Sequence, residues 1–254
     1  VDINHMRTER KKLSFTKMQA CGNDYLFFDN TNGEITCPES LTLSVCDRNY
    51  GVGADGIVLI EKSRVADAKI RIFNKDGSEG KMAGNSVRCV TKYLYDNGIT
   101  DKEELDIETA SGIKHQKLYI YSGLVRSVSG DMGEVSLKAA DVPTTLEGDE
   151  IINKSINVGG EEYNITCVSI GNPHCVIFCD SVDKMNVEAV GSMFENCEYF
   201  PERVNTEFVR VVNKNTLKMR VWERGSGETW ACGTGACAAV VAAVLAGYCE
   251  KDTN

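Results

Sequence analysis

This chain contains one arrangement twice, and that repetition limits its folds more than any other feature. One stretch reads Arg71-Ile72-Phe73-Asn74-Lys75-Asp76-Gly77-Ser78-Glu79, followed closely by Met82-Ala83-Gly84-Asn85-Ser86. The other reads Arg220-Val221-Trp222-Glu223-Arg224-Gly225-Ser226-Gly227-Glu228, followed by Ala231-Cys232-Gly233-Thr234-Gly235. Aligned, Ala83-Gly84-Asn85-Ser86 lies over Cys232-Gly233-Thr234-Gly235. In each stretch a strand leads through a glycine-bearing turn into a helix. The first helix is predicted from about Asn85 to Asp96, ending at Asn97-Gly98. The second is predicted from about Thr234 to Ala246, ending at Gly247. Such a duplication implies two similar lobes, each presenting one helix N-terminus. A boundary near Gly123 to Gly130 separates them, giving lobes over residues 1–124 and 125–254.

Strands dominate the rest. Short β-type runs recur at Tyr25 to Phe28, Gly56 to Ile60, Lys69 to Phe73, Leu105 to Glu108 and Lys117 to Tyr121. Others lie at Glu134 to Leu137, Val168 to Ile170, Val176 to Phe178, Glu207 to Val212 and Leu217 to Val221. A third helix is predicted over Ser40 to Asp47. The fold class read from this pattern is α+β.

Composition removes several functions. The net charge is -9 with no block of like charge, so nothing offers the basic footprint of nucleic-acid binding. The most apolar stretch, Ala236 to Ala246, is too short for a membrane span. Val1 to Lys12 is polar and charged, unlike a signal peptide. His5-Met6 reads as an added tag ahead of a start at Met6, so residues 1–12 are taken as an extension. The 11 cysteines are odd in number and follow no disulfide spacing. A reducing, cytoplasmic setting follows, with most of the thiols acting as small buried hydrophobes. Cys175 and Cys179 have only His174 beside them, so no metal is expected.

Cys232 carries the chemistry. It sits at a helix entry before Gly233, Thr234 and Gly235, where unpaired N–H groups lower a thiol's pKa and can hold a carboxylate. The plain alternative is a buried cysteine with no role. Removing a proton from an amino-acid α-carbon leaves a poorly stabilised carbanion, and no lysine stands in a recognisable Schiff-base setting. Two thiols on opposite faces of the carbon offer a cofactor-free route, one as base and one as acid. Gly171-Asn172-Pro173-His174 reads as a rigid turn showing an amide and an imidazole. Arg224 suits a carboxylate and Glu223 a neighbouring thiol, although surface ion pairs are commoner. Gly51-Val52-Gly53-Ala54-Asp55-Gly56 leads into a strand rather than a helix, so no nucleotide site is read there.

Together these segments resemble the diaminopimelate epimerase family, from about Leu13 to Gly247. The resemblance rests on Lys17-Met18-Gln19-Ala20-Cys21-Gly22-Asn23-Asp24, the Gly51–Gly56 loop, Phe73-Asn74-Lys75-Asp76-Gly77-Ser78 and Gly84-Asn85-Ser86-Val87-Arg88-Cys89. It rests equally on Gly171-Asn172-Pro173-His174, Phe200-Pro201-Glu202-Arg203-Val204-Asn205 and the run Glu223 to Gly235. It implies two pseudo-symmetric lobes, each a curled mixed sheet around a central helix. The activity implied is interconversion of LL- and meso-2,6-diaminopimelate in lysine and peptidoglycan synthesis, without cofactor or metal. Cys232 then matches one catalytic thiol, while His174 and Glu223 match residues that assist the thiols. Asn23, Asn74, Asn172, Asn205 and Arg224 match contacts to the distal amino-acid end. Gly84, Asn85, Gly233 and Thr234 match the helix starts that hold the reacting carboxylate. By analogy with family members a homodimer is expected, with a small amino acid as the only other partner.

Two departures stand out. Ala83 occupies the position of the family's other catalytic cysteine, and a methyl group neither takes nor gives a proton. Loss of turnover follows, whether the alanine is engineered or natural. Cys89 lies too far into the same helix to substitute. The chain also stops at Asn254, where the family continues for a few strands. Two other readings remain open. One is a sister racemase independent of pyridoxal phosphate, such as a histidine racemase. The other is a non-catalytic amino-acid-binding protein. A phenazine-biosynthesis-like relative would share the fold but would not need Cys232.

Overall fold

A computed structural model describes residues 12–80 and 84–251. Ala83 lies outside the described residues. Two compact units divide the chain, one ending at Asp131 and the next beginning at Met132.

The first unit is built from β1 (Thr16–Ala20), β2 (Asn23–Asp29), α1 (Pro38–Val45), β3 (Gly56–Glu61), β4 (Ala68–Asn74), β5 (Glu79–Gly80), α2 (Gly84–Asp96), β6 (Glu104–Thr109), β7 (Gly112–Tyr121) and β8 (Leu124–Gly130). Its sheet runs β1-β2-β3-β4-β6-β7-β8, with β5 also on β4. Pairing is mixed: β2–β3 and β4–β6 are parallel and the others antiparallel. The sheet curls so that α2 touches β1 and β2 near one edge and β7 and β8 at the other. Val87, Val90 and Leu94 of α2 pack with Phe27, Val58, Ile70, Ile72 and Ile107. Each such side chain contributes about 1.5–3 kcal/mol by leaving water.

The second unit contains β9 (Lys154–Val158), β10 (Glu161–Ser169), β11 (Pro173–Phe178), α3 (Val187–Glu195), β12 (Asn205–Asn213), β13 (Thr216–Glu223), β14 (Gly227–Thr229) and α4 (Gly233–Leu245). Its sheet runs β14-β13-β12-β11-β10-β9. β11 and β12 are parallel, while the other neighbours are antiparallel. The small side chains of Ala238, Ala239 and Ala242 let α4 approach Val168, Val176 and Val209 closely.

The duplication extends through both units. Pairs β1–β2, β2–β3, β3–β4 and β4–β5 match β10–β11, β11–β12, β12–β13 and β13–β14 in the sense of every pairing. α1 stands between β2 and β3 as α3 stands between β11 and β12. The aligned Arg71 and Arg220 each bind a glutamate through two parallel bonds. Arg71 donates to Glu79 at 2.7 and 2.8 Å, and Arg220 donates to Glu228 at 2.7 and 2.9 Å. Each pair pins the turn ahead of the helix.

Several expectations need correction. The expected division after residue 124 would cut β8, which pairs with β7 in the first unit, so the first lobe reaches Asp131. Glu134 to Leu137 forms no strand, only an isolated bridge from Ser136 to Ser169. α3 was missed because it is short and carries Gly191. That glycine is needed for packing, since a Cβ there would lie 2.5 Å from Trp222. The glycine loop before β3 serves packing as well: a Cβ on Gly56 would meet the Phe73 carbonyl oxygen at 2.2 Å.

Candidate active site

Each unit gathers one cluster at a helix start. In the first, a Gly22 φ of 82° turns the chain sharply into β2. Asn23 Nδ2 donates to Asp55 Oδ2 at 2.9 Å, and Asn85 Nδ2 donates to Asn23 Oδ1 at 3.3 Å. Asn85 thereby sits directly after Gly84 at the entry of α2. Asp55 is held in turn by Arg48, which also bonds Asp24. Burial works to raise the Asp24 carboxyl, but bonds from Arg48 and Lys17 outweigh it and hold the pKa at about 2. The Gly51–Gly56 loop therefore supports Asn23 through Asp55. Asn74 ends β4 opposite Gly56, and its Nδ2 donates to Ser78 Oγ at 3.1 Å.

The second unit repeats this device. Gly171 also has a φ of 82°, and Asn172 Nδ2 donates to Thr234 Oγ1 at 3.2 Å. Thr234 follows Gly233 at the entry of α4. The Asn23–Asn85 and Asn172–Thr234 pairs occupy matching places in the repeat. Cys232 caps α4: its sulfur accepts from Gly235 N at 3.4 Å and lies 3.3 Å from Thr234 Oγ1. His174 is fully buried, with Nδ1 2.7 Å from Glu207 Oε1 and Nε2 3.0 Å from Asn172 Oδ1. Cys232, His174, Asn172 and Thr234 are thus brought together.

The expectation that the helix start lowers the Cys232 pKa is overturned. Burial pushes this thiol up to about 12, with the charges of Glu223 and Glu207 adding to the rise. The bonds from Thr234 and Gly235 only partly oppose it. A thiol raised this far is protonated near neutral pH. Glu223 also accepts from Thr229 Oγ1 at 2.5 Å.

Asn205 and Arg224 are neighbours. Asn205 Nδ2 donates to Pro173 O at 2.9 Å, and its Oδ1 accepts from Arg224 N at 2.8 Å. The amide thereby ties the Asn172–His174 turn to the arginine loop. Replacing it by alanine leaves the Pro173 carbonyl and the Arg224 N–H without this partner. Asn205→Ala is expected to lower stability by about 1–3 kcal/mol in urea denaturation. A loss below a few tenths of that would show that the tie carries no load. The Arg224 side chain is exposed and donates from Nη1 to Glu202 O at 3.0 Å.

Sequence reasoning missed Glu207 and Glu195. Glu195 is buried and accepts from Trp222 Nε1 at 2.7 Å and Gly225 N at 2.8 Å, anchoring the arginine loop from below. Glu207 left a readable signal. It is a charged residue directly ahead of the apolar pair Phe208-Val209 on the same strand, where buried charge requires a partner.

The family model for diaminopimelate epimerase matches residues 15–138 and 166–254. A diaminopimelate epimerase of Methanococcus maripaludis is 49% identical over 242 residues, covering 95% of this chain and 87% of the relative. One from Agathobacter rectalis is 46% identical over 240 residues, covering 92% and 84%. The fold is also that of a hydroxyproline epimerase from Agrobacterium vitis, with a TM-score of 0.63 at 15% identity, covering 93% of this chain and 78% of that one.

Proposed function

Because this chain belongs to the diaminopimelate epimerase family, we propose that its site is shaped to interconvert LL- and meso-2,6-diaminopimelate by proton transfer between two thiols, of which it carries one. The chain is an isomerase of the epimerase class. The observation that carries the finer reading is Cys232 capping α4 beside Asn172, His174 and Thr234.

The reaction breaks a Cα–H bond on one face and forms a new one on the other. A thiolate takes the first proton, and the electron pair spreads from Cα into the substrate carboxylate. The N–H groups of Gly233 and Thr234, aided by the dipole of α4, stabilise that charge. Gly84 and Asn85 have the matching place on α2. A thiol then returns a proton to the opposite face. Cys232, protonated at rest, is the donor in one direction. In the other it must ionise first, which the substrate's α-ammonium and the helix start favour. Position 83 is assigned the partner thiol, and alanine there leaves the cycle incomplete.

Arg224 is assigned the distal carboxylate, with Asn23, Asn74 and Asn172 as amide donors to the substrate. Asn205 is assigned both to the substrate and to holding the Arg224 loop, since an amide bonded once at each end, as Asn23 and Asn172 also are, keeps a second proton and a second lone pair. Glu223, whose charge acts on Cys232, is assigned to assisting that thiol.

Calorimetry on the chain as it stands tests the substrate class without turnover. Both diaminopimelate isomers should bind, and lysine, which lacks the second carboxylate, should bind about tenfold to a hundredfold more weakly. Histidine or proline binding better than either isomer would instead point to a sister racemase.

A further inference from the structure

The proposed reaction makes no use of Arg88, yet this residue sets the direction of the amide bonds in the first unit's cluster. It lies in the first turns of α2, and its Nη2 donates to Asn85 Oδ1 at 2.5 Å. A guanidinium offers N–H donors and no acceptor, so the oxygen end of the Asn85 amide is the one that faces it. The nitrogen end then faces Asn23 and donates to Asn23 Oδ1 at 3.3 Å. The Asn23 nitrogen is turned in consequence to Asp55 and donates to its Oδ2 at 2.9 Å. Asp55 ends the series as an acceptor at both oxygens. Its Oδ2 also accepts from Asp24 N at 3.1 Å, and its Oδ1 accepts from Arg48 Nη2 at 3.0 Å. Turning the Asn85 amide over would set its NH2 against the guanidinium. Turning the Asn23 amide over would set its NH2 against that of Asn85. The second clash stands whether or not a proton sits on Asp55, so a single orientation of the two amides satisfies their partners.

The repeat shows that the fold does not need this arrangement. In the aligned helices Arg88 corresponds to Cys237. Tyr25 pairs with Gly56 as His174 pairs with Asn205, so Asp55 corresponds to Val204. Val204 belongs to an apolar core and Cys237 packs against one. The second unit therefore has neither the arginine nor the carboxylate at these places. Its Asn172 amide meets the Thr234 hydroxyl and a ring nitrogen of His174, groups that can donate or accept and so impose no direction. Of the two helix entries, that of α2 has its amides set by a group that can only donate.

The geometry points to Arg88 as a positioning residue for substrate binding: it holds the Asn85 and Asn23 amides in one orientation, which keeps the nitrogen of each, with its remaining N–H, in a fixed place for an acceptor oxygen of the substrate. The purpose rests on the proposed assignment of Asn85 and Asn23 to the substrate, but the orientation itself does not. Neutron diffraction on deuterium-exchanged crystals of the unsubstituted chain reads that orientation directly. Deuterium should lie on the Asn85 atom facing Asn23 and on the Asn23 atom facing Asp55. Deuterium on the Asn85 atom facing Arg88, or on the Asn23 atom facing Asn85, would overturn the inference with no variant made. Calorimetry with meso-diaminopimelate reads the effect on binding. Arg88→Met should bind about tenfold more weakly, as the amides become free to turn. Arg88→Lys, which restores a donor with no acceptor, should recover most of that loss. An Arg88→Met protein that binds as tightly as the unsubstituted chain would overturn the inference, and so would an Arg88→Lys protein that binds no better than Arg88→Met. An unsubstituted chain that binds neither diaminopimelate isomer would sink the proposed reaction, while the neutron map would still decide whether Arg88 sets the amides.

Discussion

Ala83→Cys, reduced and given LL-diaminopimelate in heavy water, is expected to form meso-diaminopimelate with deuterium on the inverted α-carbon. The gain over the unsubstituted chain should reach at least the ~10²- to 10⁴-fold typical of a positioned acid or base. The repeat carries the reasoning, since position 83 aligns with Cys232, the residue whose sulfur caps α4. A thiol at the matching helix entry supplies the missing half of the exchange. Cys89 does not supply it. Its side chain is packed into the first core, and burial pushes its thiol up to about 11. Adding Cys232→Ala to the restored chain should return it to baseline, because one thiol cannot serve both faces. Equal turnover with and without cysteine at 83 would sink the two-thiol account. Tight binding by the restored chain, with neither exchange nor product, would favour an amino-acid-binding protein.

What could be read in the sequence was whatever repeats or alternates. The helices α2 and α4 were placed to within a residue at either end because their stop signals, Gly98 and Gly247, adopt the left-handed backbone expected of them. The Arg71–Glu79 and Arg220–Glu228 pairs lay inside the repeated stretches, but only the strand pairing explains why the spacing is kept. Residues whose role comes from a distant partner were not legible. That Asn205 also ties Pro173 O to Arg224 N does not show in a sequence. Glu207 was read as one residue of a strand, and its diagonal approach to His174, which lies opposite Asn205, becomes visible only through the parallel register of β11 and β12. The Cys232 pKa was misjudged for a related reason. The helix start is local and readable, whereas burial and the charges of Glu223 and Glu207 come from elsewhere in the chain and outweigh it.

That burial has a consequence for the whole molecule in alkali. Cys167 and Cys232 are buried with thiols pushed up to about 12, Cys46 and Cys89 with thiols pushed up to about 11, and burial raises Cys175 well above the ordinary range. In the unfolded chain a cysteine ionises near ~8.5. Between that value and the folded one, the unfolded state releases a proton that the native state keeps. Stability is therefore fully present below the unfolded pKa and falls as pH rises toward the folded pKa. Each thiol loses about 1.4 kcal/mol per pH unit in that window. About one unit above the unfolded pKa, the five together remove about 7 kcal/mol, a large share of the ~5–15 kcal/mol that holds a typical domain together. Urea midpoints measured under reducing conditions at increasing pH should fall accordingly. Cys167→Ala should start from a lower stability at neutral pH, because of the cavity it leaves, yet show a slope shallower by up to about a fifth. Parallel slopes for the two proteins would mean that the native state already ionises Cys167, and the premise that it is a neutral buried thiol would fail with them.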